Sequence, residues 1–195
     1  MKDQRVVKEV HELDPVAEGW KYSERNGLLF MKLRPDSGKI RITISKPQLK
    51  YVPQLSPPAK KIDWRFHQGG LRDWMAINDL AQLRIQEGML VTKSTGSDPY
   101  MVSMPTKINA SEYSRVVIRM KISRGAHAQL FWSTESNPIS EATSIRFEIR
   151  SDGNSHDYVI PVAQHTKWKG MITSLRLDPT DSAGSEIAVE SITGQ

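Results

Sequence analysis

Hydrophobic and polar positions alternate with period two through five runs in the second half of the chain: residues 115–122, 126–134, 144–150, 156–162 and 171–177. Successive side chains of a strand point to opposite faces, so each run divides into two sets. One set reads Val116/Ile118/Met120/Ile122, Ala128/Leu130/Trp132, Ile145/Phe147/Ile149, Tyr158/Ile160/Val162 and Leu175/Leu177. The other reads Arg119/Lys121, Gln129/Phe131, Arg146/Glu148/Arg150, Asp157 and Arg176/Asp178. The first set predicts a core. The second predicts a polar, arginine-rich outer face.

Shorter runs of the same kind precede and follow. Residues 62–66 and 88–92 read as strands, 101–104 continues after a turn at 96–100, and 108–113 leads into the central stretch. Residues 69–74 form a turn entering a loop, and 77–85 reads as a short helix or an irregular strand. A last strand is expected over 186–192. Eight or nine turn-bounded strands with few helices predict a sandwich, barrel or jelly roll.

Upstream, 16–22, 28–33 and 39–44 form three strand-like runs, with Ile40, Ile42 and Ile44 alternating in the third. Asn26-Gly27 is a strong hairpin signal between the first two. Three strands are too few to bury a core alone. Residues 46–61 carry four prolines and no periodicity, which predicts an extended linker. The expected organisation is therefore a β-hairpin-rich remnant at 1–45, a Pro-rich linker at 46–61 and a jelly-roll module at 62–195. The fold class is all-β, a β-sandwich jelly roll preceded by a short β-meander.

Charge sharpens this division. The net charge is +5, yet residues 1–61 hold 13 basic and 7 acidic side chains, a net of +6. The remaining 14 basic and 15 acidic residues give −1. The pI of 9.4 thus belongs to the first third of the chain. A nucleic-acid binder wants a basic stripe on the folded module, so a nucleic-acid partner is not expected. No apolar run approaches the roughly 20 residues of a membrane helix, and no membrane partner is expected. Nor does the N-terminus carry the apolar core of a signal peptide.

The chain has no cysteine, which removes disulfides, thiol catalysis and cysteine-based zinc sites. No G-x-S-x-G elbow, H-E-x-x-H pair or P-loop occurs. Acidic residues such as Glu148, Asp178 and Glu190 are numerous, but they do not form the paired constellation that glycoside hydrolysis needs. No enzymatic activity is expected, and no cofactor is required. Oxygen-rich turns at 152–154 and 178–181 are candidates for a structural calcium, although neither carries a metal signature.

Two stretches resemble known families. The pattern G-W-x-Y, turn, L-L-x-x-K-L, turn, G-x-I-x-I over about 30 residues resembles the last strands of the β-sandwich that closes large bacterial glycoside hydrolases. The second resemblance covers 62–195. Its motifs include W-x-F, G-x-D-P-Y, I-x-A-x-x-Y, V-x-I-R-M-K, Q-L-F-W-x-T, D-G-x-x-H-x-Y and W-x-G-x-I-x-x-L-R-L-D-P. They resemble a galactose-binding-like jelly-roll carbohydrate-binding module appended to a bacterial polysaccharide-active enzyme. The resemblance implies a non-catalytic, monomeric, secreted or cell-surface module. Its partners would be a polysaccharide, including an acidic one, and the parent catalytic domain. The alternative is a structural β-sandwich that packs on the parent enzyme and binds no sugar.

The candidate carbohydrate-binding residues are Arg119, Lys121, Gln129, Phe131, Arg146, Glu148, Arg176 and Tyr100. Guanidinium forks bind hydroxyls or carboxylates through two parallel hydrogen bonds, and Phe131 would stack on a sugar ring. Arg176 and Asp178 project to the same side, spaced for a local ion pair. Trp64, Phe66 and Trp132 are expected in the core. Trp74 and Trp168, beside turns, are expected to close the ends of the sandwich.

Overall fold

The computed structural model describes residues 19–23, 28–32, 60–68 and 73–195. Backbone contacts divide the chain into units 1–57 and 58–195. In the first unit, β1 (Gly19–Ser23) and β2 (Leu28–Lys32) form an antiparallel pair, with Gly19 opposite Lys32 and Ser23 opposite Leu28. The expected turn at 24–27, the third strand at 39–44, most of the linker and the turn at 69–72 lie outside the described residues.

The second unit is an antiparallel β-sandwich of two six-stranded sheets. The chain runs β3 (Asp63–Arg65), β4 (Trp74–Asn78), β5 (Arg84–Gln86), β6 (Met89–Lys93), β7 (Tyr100–Ser103) and β8 (Ile108–Asn109). It continues with β9 (Val116–Ile122), β10 (His127–Thr134), β11 (Ser144–Glu148), β12 (His156–Ile160), β13 (Met171–Asp178) and β14 (Glu186–Gly194). Sheet I has the order β11-β10-β13-β7-β4, with β8 also on β13. Sheet II has the order β12-β9-β14-β6-β5, with β3 also on β14. The segment 77–85 is neither one helix nor one strand: it holds the end of β4, a bridge from Leu80 to Ser94, and β5.

The alternation seen in the sequence is realised residue by residue. Along β9, Val116, Ile118, Met120 and Ile122 are buried and the residues between them are half-exposed. Ala128, Leu130, Trp132, Leu175 and Leu177 face them from sheet I, and Ile145 and Phe147 pack at the border. Each fully buried aliphatic side chain contributes about 1.5–3 kcal/mol of transfer free energy, so this double layer is the main stabilising feature. The tryptophans of the module are interior. Trp64 meets Trp74 edge-on at 5.4 Å, and Trp132 meets Trp168 at 5.1 Å. The indole N–H of Trp132 donates to Lys167 O and that of Trp168 to Ala110 O, as buried indoles require.

What the alternation does not encode is which sheet each strand joins. Strands β9, β12 and β14 enter sheet II, whereas β10, β11 and β13 enter sheet I. The polar face read as one surface is therefore two surfaces, on opposite sides of the sandwich.

Candidate functional site

Six of the eight candidate residues share the outer face of sheet I. Antiparallel register places Gln129 opposite both Arg146 and Asp178, and Phe131 opposite both Ser144 and Arg176. Arg176 is in turn opposite Val102, and Tyr100 opens β7 one step along. Glu148 lies on β11 beside Arg146, outward like it. Arg119 and Lys121 lie on β9 and belong to the outer face of sheet II. They cannot join the same groove, because a complete core separates them from it.

The centre of the sheet I face is Arg176. Its guanidinium carbon sits 3.6 Å from the ring centroid of Tyr100 and 4.6 Å from that of Phe131. Cation–π contacts of this kind contribute about 0.5–2 kcal/mol, more as the cation is desolvated. Nε and Nη2 donate to the two carboxylate oxygens of Asp178 at 2.7 and 2.6 Å. Nη2 also reaches Asp98 at 3.5 Å. Among the described residues, Nη1 has no partner. The Arg176 and Asp178 side chains retain only 19% and 16% exposure. Burial pushes the Asp178 carboxyl up and Arg176 opposes this, while Asp98 and Glu141 add to the rise. Burial acts most strongly on Arg176 and against its charge, but the hydrogen bonds to Asp178 together with the charge interactions of Asp178, Tyr100 and Asp98 leave its pKa raised.

Phe131 departs from its expected role. It points to the outer face, yet it is only 3% exposed. The ring is a floor beneath Arg176 and offers no plane for a sugar. Tyr100 is half-buried, and its hydroxyl makes no hydrogen bond among the described residues. It is the aromatic ring of this face that a ligand can reach.

The loop that presents Tyr100 is fixed from below. Asp79 adopts a left-handed φ of 46°. Its carboxylate accepts the Asp98 N–H at 3.1 Å, and its carbonyl accepts the Thr95 N–H at 2.7 Å. A Cβ at Gly96 would run into the Asp79 carboxylate, so only glycine fits there. Asn78 donates to Asp98 O at 2.7 Å. Asn78, Asp98 and Glu141 are site residues that the strand pattern missed. Asp98 stands in the recognisable G-S-D-P-Y turn, but nothing local ties it to Arg176, 78 positions later.

The remaining candidates are spoken for in different ways. Gln129 donates to Glu141 and Ser144, each at 2.8 Å. Arg146 is 58% exposed and approaches Asp181 at 3.6 Å. On sheet II, Arg119 bridges Asp157 at 3.0 Å and Glu190 at 2.8 Å. Hydrogen bonding to these two carboxylates raises its pKa. Lys121 borders a shallow 560 Å³ depression together with Arg84, Met89, Val91 and Glu186.

The turns considered for calcium hold their carboxylates in local bonds. Asp152 accepts from Asn154 N–H and pairs with His156. Asp181 accepts from Ala126 N–H and meets His127 at 3.1 Å. Among the described residues, no three His, Asp or Glu side chains converge as a metal would require.

No protein-family model matches the chain, and no curated protein matches it significantly. Solved structures do. A carbohydrate-binding module of family 28, specific for non-crystalline cellulose, aligns with a TM-score of 0.50 at 12% identity, covering 74% of this chain and 99% of that one. A point variant of a family 29 carbohydrate-binding module complexed with cellulohexaose aligns with a TM-score of 0.47 at 12% identity, covering 68% and 87%. The first of these is a likeness of fold: with the two antiparallel sheets above, the chain has the β-sandwich fold of carbohydrate-binding modules.

Proposed function

We propose that residues 62–195 form a non-catalytic carbohydrate-binding module whose ligand lies on the outer face of sheet I. The observation that carries this reading is the Tyr100–Arg176–Phe131 stack. It holds a desolvated guanidinium rigid with one nitrogen unused, beside a reachable aromatic ring. Sugar recognition needs these elements together, an apolar ring for the pyranose face and fixed donors and acceptors for its hydroxyls. The fold likeness to modules that bind cellulose supports the same reading.

The charge on this face favours a neutral polysaccharide over the acidic one considered from sequence. Asp98, Asp178, Glu141 and Glu148 stand against Arg146 and Arg176. The Arg176 fork that would grip a ligand carboxylate already grips Asp178. Neutral hydroxyls, by contrast, donate to carboxylates and accept from Nη1 without electrostatic penalty. The module would then hold a larger secreted or cell-surface polysaccharide-degrading enzyme at its substrate and raise the effective concentration of chains.

Affinity electrophoresis against cellulose derivatives, mixed-linkage glucan, xylan, mannan and pectin tests this. At least one neutral polysaccharide should retard the module, and Tyr100→Ala should remove the retardation while leaving the thermal midpoint nearly unchanged. Unchanged mobility across the whole panel would hand the module to the structural alternative.

A further inference from the structure

We infer that the outer face of sheet II carries a second binding site, a trough for an acidic polysaccharide whose carboxylates are held by Arg84 and Lys121. It lies across the core from sheet I and shares no residue with the face proposed there.

The trough follows from the register of four strands. Arg84 of β5 stands opposite Val91 of β6, Val91 opposite Ala188 of β14, and Ala188 opposite Lys121 of β9. Directly opposed residues share one face of a sheet. Leu90 and Thr92 on either side of Val91 are buried, as are Ile187 and Val189 beside Ala188, so this row points outward. Two short side chains therefore lie between two long cationic ones, and the 560 Å³ depression is the space left above them. Met89 borders it on one side and the Lys93–Glu186 pair on the other.

The strand carboxylates around the trough are engaged, and its two end cations are not. Glu186 meets Lys93 at 2.8 Å, and Arg119 holds both Asp157 and Glu190. Among the described residues, Arg84 and Lys121 make no ion pair or hydrogen bond. The charge of Lys121 acts on Glu190 without contact. Glu87, on the turn after Gln86, is the remaining carboxylate at the rim, so the lining holds three cations against two carboxylates.

The spacing selects the ligand. Three interstrand steps separate the Arg84 and Lys121 backbones by about 14 Å. Cations so far apart do not converge on a single phosphate or sulfate, but they match an extended chain with one carboxylate on each unit. The floor between them is aliphatic, a surface for the C–H faces of sugar rings, and Gln86 and Ser123 at the rim can pair with hydroxyls. Among the described residues, no aromatic side chain lines the trough, whereas single-stranded nucleic acid is held by stacking on such rings. A polyuronate satisfies the spacing, the floor and the rim together.

The test is an NMR titration of the isotope-labelled full chain with trigalacturonate and tetragalacturonate, with neutral cello-oligosaccharides of the same lengths, and with inorganic phosphate. The uronates should shift the amide signals of Arg84, Val91, Ala188 and Lys121 saturably, and more weakly as salt is raised. The neutral sugars should leave these four signals in place. Arg84→Gln combined with Lys121→Gln should weaken uronate binding by about tenfold, the modest worth of two exposed ion pairs, while Tyr100→Ala should not change it. Uronate shifts confined to the basic residues 1–61, binding unchanged in the double variant, or an equal response to phosphate would each overturn the sheet II site. None of these results bears on the face of sheet I.

Discussion

The two outer faces of the sandwich start from the same material and end differently. Each carries an arginine at its centre, held by two carboxylates. On sheet II, Arg119 lies between Asp157 and Glu190 on a surface of aliphatic side chains such as Val117, Val159 and Val91. On sheet I, Arg176 lies between Asp178 and Asp98, with one aromatic ring beneath it and another beside it. An ion pair on a strand surface is worth little by itself, about 0–1 kcal/mol. An ion pair set into aromatic rings is desolvated and immobile, and immobility is what a ligand-binding donor needs. The rings, more than the charge, separate the proposed binding face from the other.

Variants on the two faces can break this contrast. The largest effect is expected for Phe131→Ala, which empties a buried ring site and should cost about 3–5 kcal/mol in urea unfolding. A loss below about 1 kcal/mol would mean that the ring is not the floor of the site. Arg176→Lys comes next. It keeps the charge but loses the planar fork, so retardation by the best polysaccharide should fall about tenfold or more. Arg119→Ala on the opposite face should leave the urea midpoint nearly unchanged, as exposed strand-surface ion pairs contribute little, and leave retardation intact. Loss of glycan retention in that variant would move the binding site to sheet II.

The smallest effect is a pH dependence. Burial acts to raise the Glu190 carboxyl, but hydrogen bonds from Ser155 and Arg119 outweigh it and hold it below the ordinary glutamate range. A carboxylate depressed in the folded state stabilises above its unfolded pKa, and that contribution fades as pH falls through the folded value. The urea midpoint of the unmodified chain should therefore exceed that of Glu190→Gln at neutral pH, with the gap closing as pH falls below the ordinary glutamate range. A gap that widens in acid would contradict the assignment.

Much of the fold was legible in the sequence because burial follows alternation. Val116 through Ile122 and Leu175 through Leu177 announce their inward sides without any knowledge of neighbours. The Arg176–Asp178 pair was legible too, since both residues lie on one strand and one side. Phe131 was misread for a physical reason. Period two says that it points outward, but its cover is Arg176, 45 positions later and opposite it only through the β10–β13 register. Arg119 and Lys121 were grouped with Arg176 because alternation distinguishes inside from outside and is silent on which outside. That information lies in the crossing of the chain between sheets, which long-range pairing fixes. Glu141 and Asp98 escaped because loops carry no periodicity.

The pairing of β14 sets the order of events when the module is made. This strand contacts β9, β6 and β3 in sheet II, and the backbone of Gln195 closes bonds to Ser114 and Arg115. A ribosome that has produced residues 60–180 has made every strand of sheet I but only the flanks of sheet II. The apolar sides of β9 and β6 then have no centre strand between them. The module is therefore held open until translation has passed residue 194, and its vulnerability to aggregation and proteolysis is greatest in that interval. Ribosome-stalled chains ending shortly after residue 180 should be cleaved readily, whereas those with 194 well clear of the exit tunnel should resist.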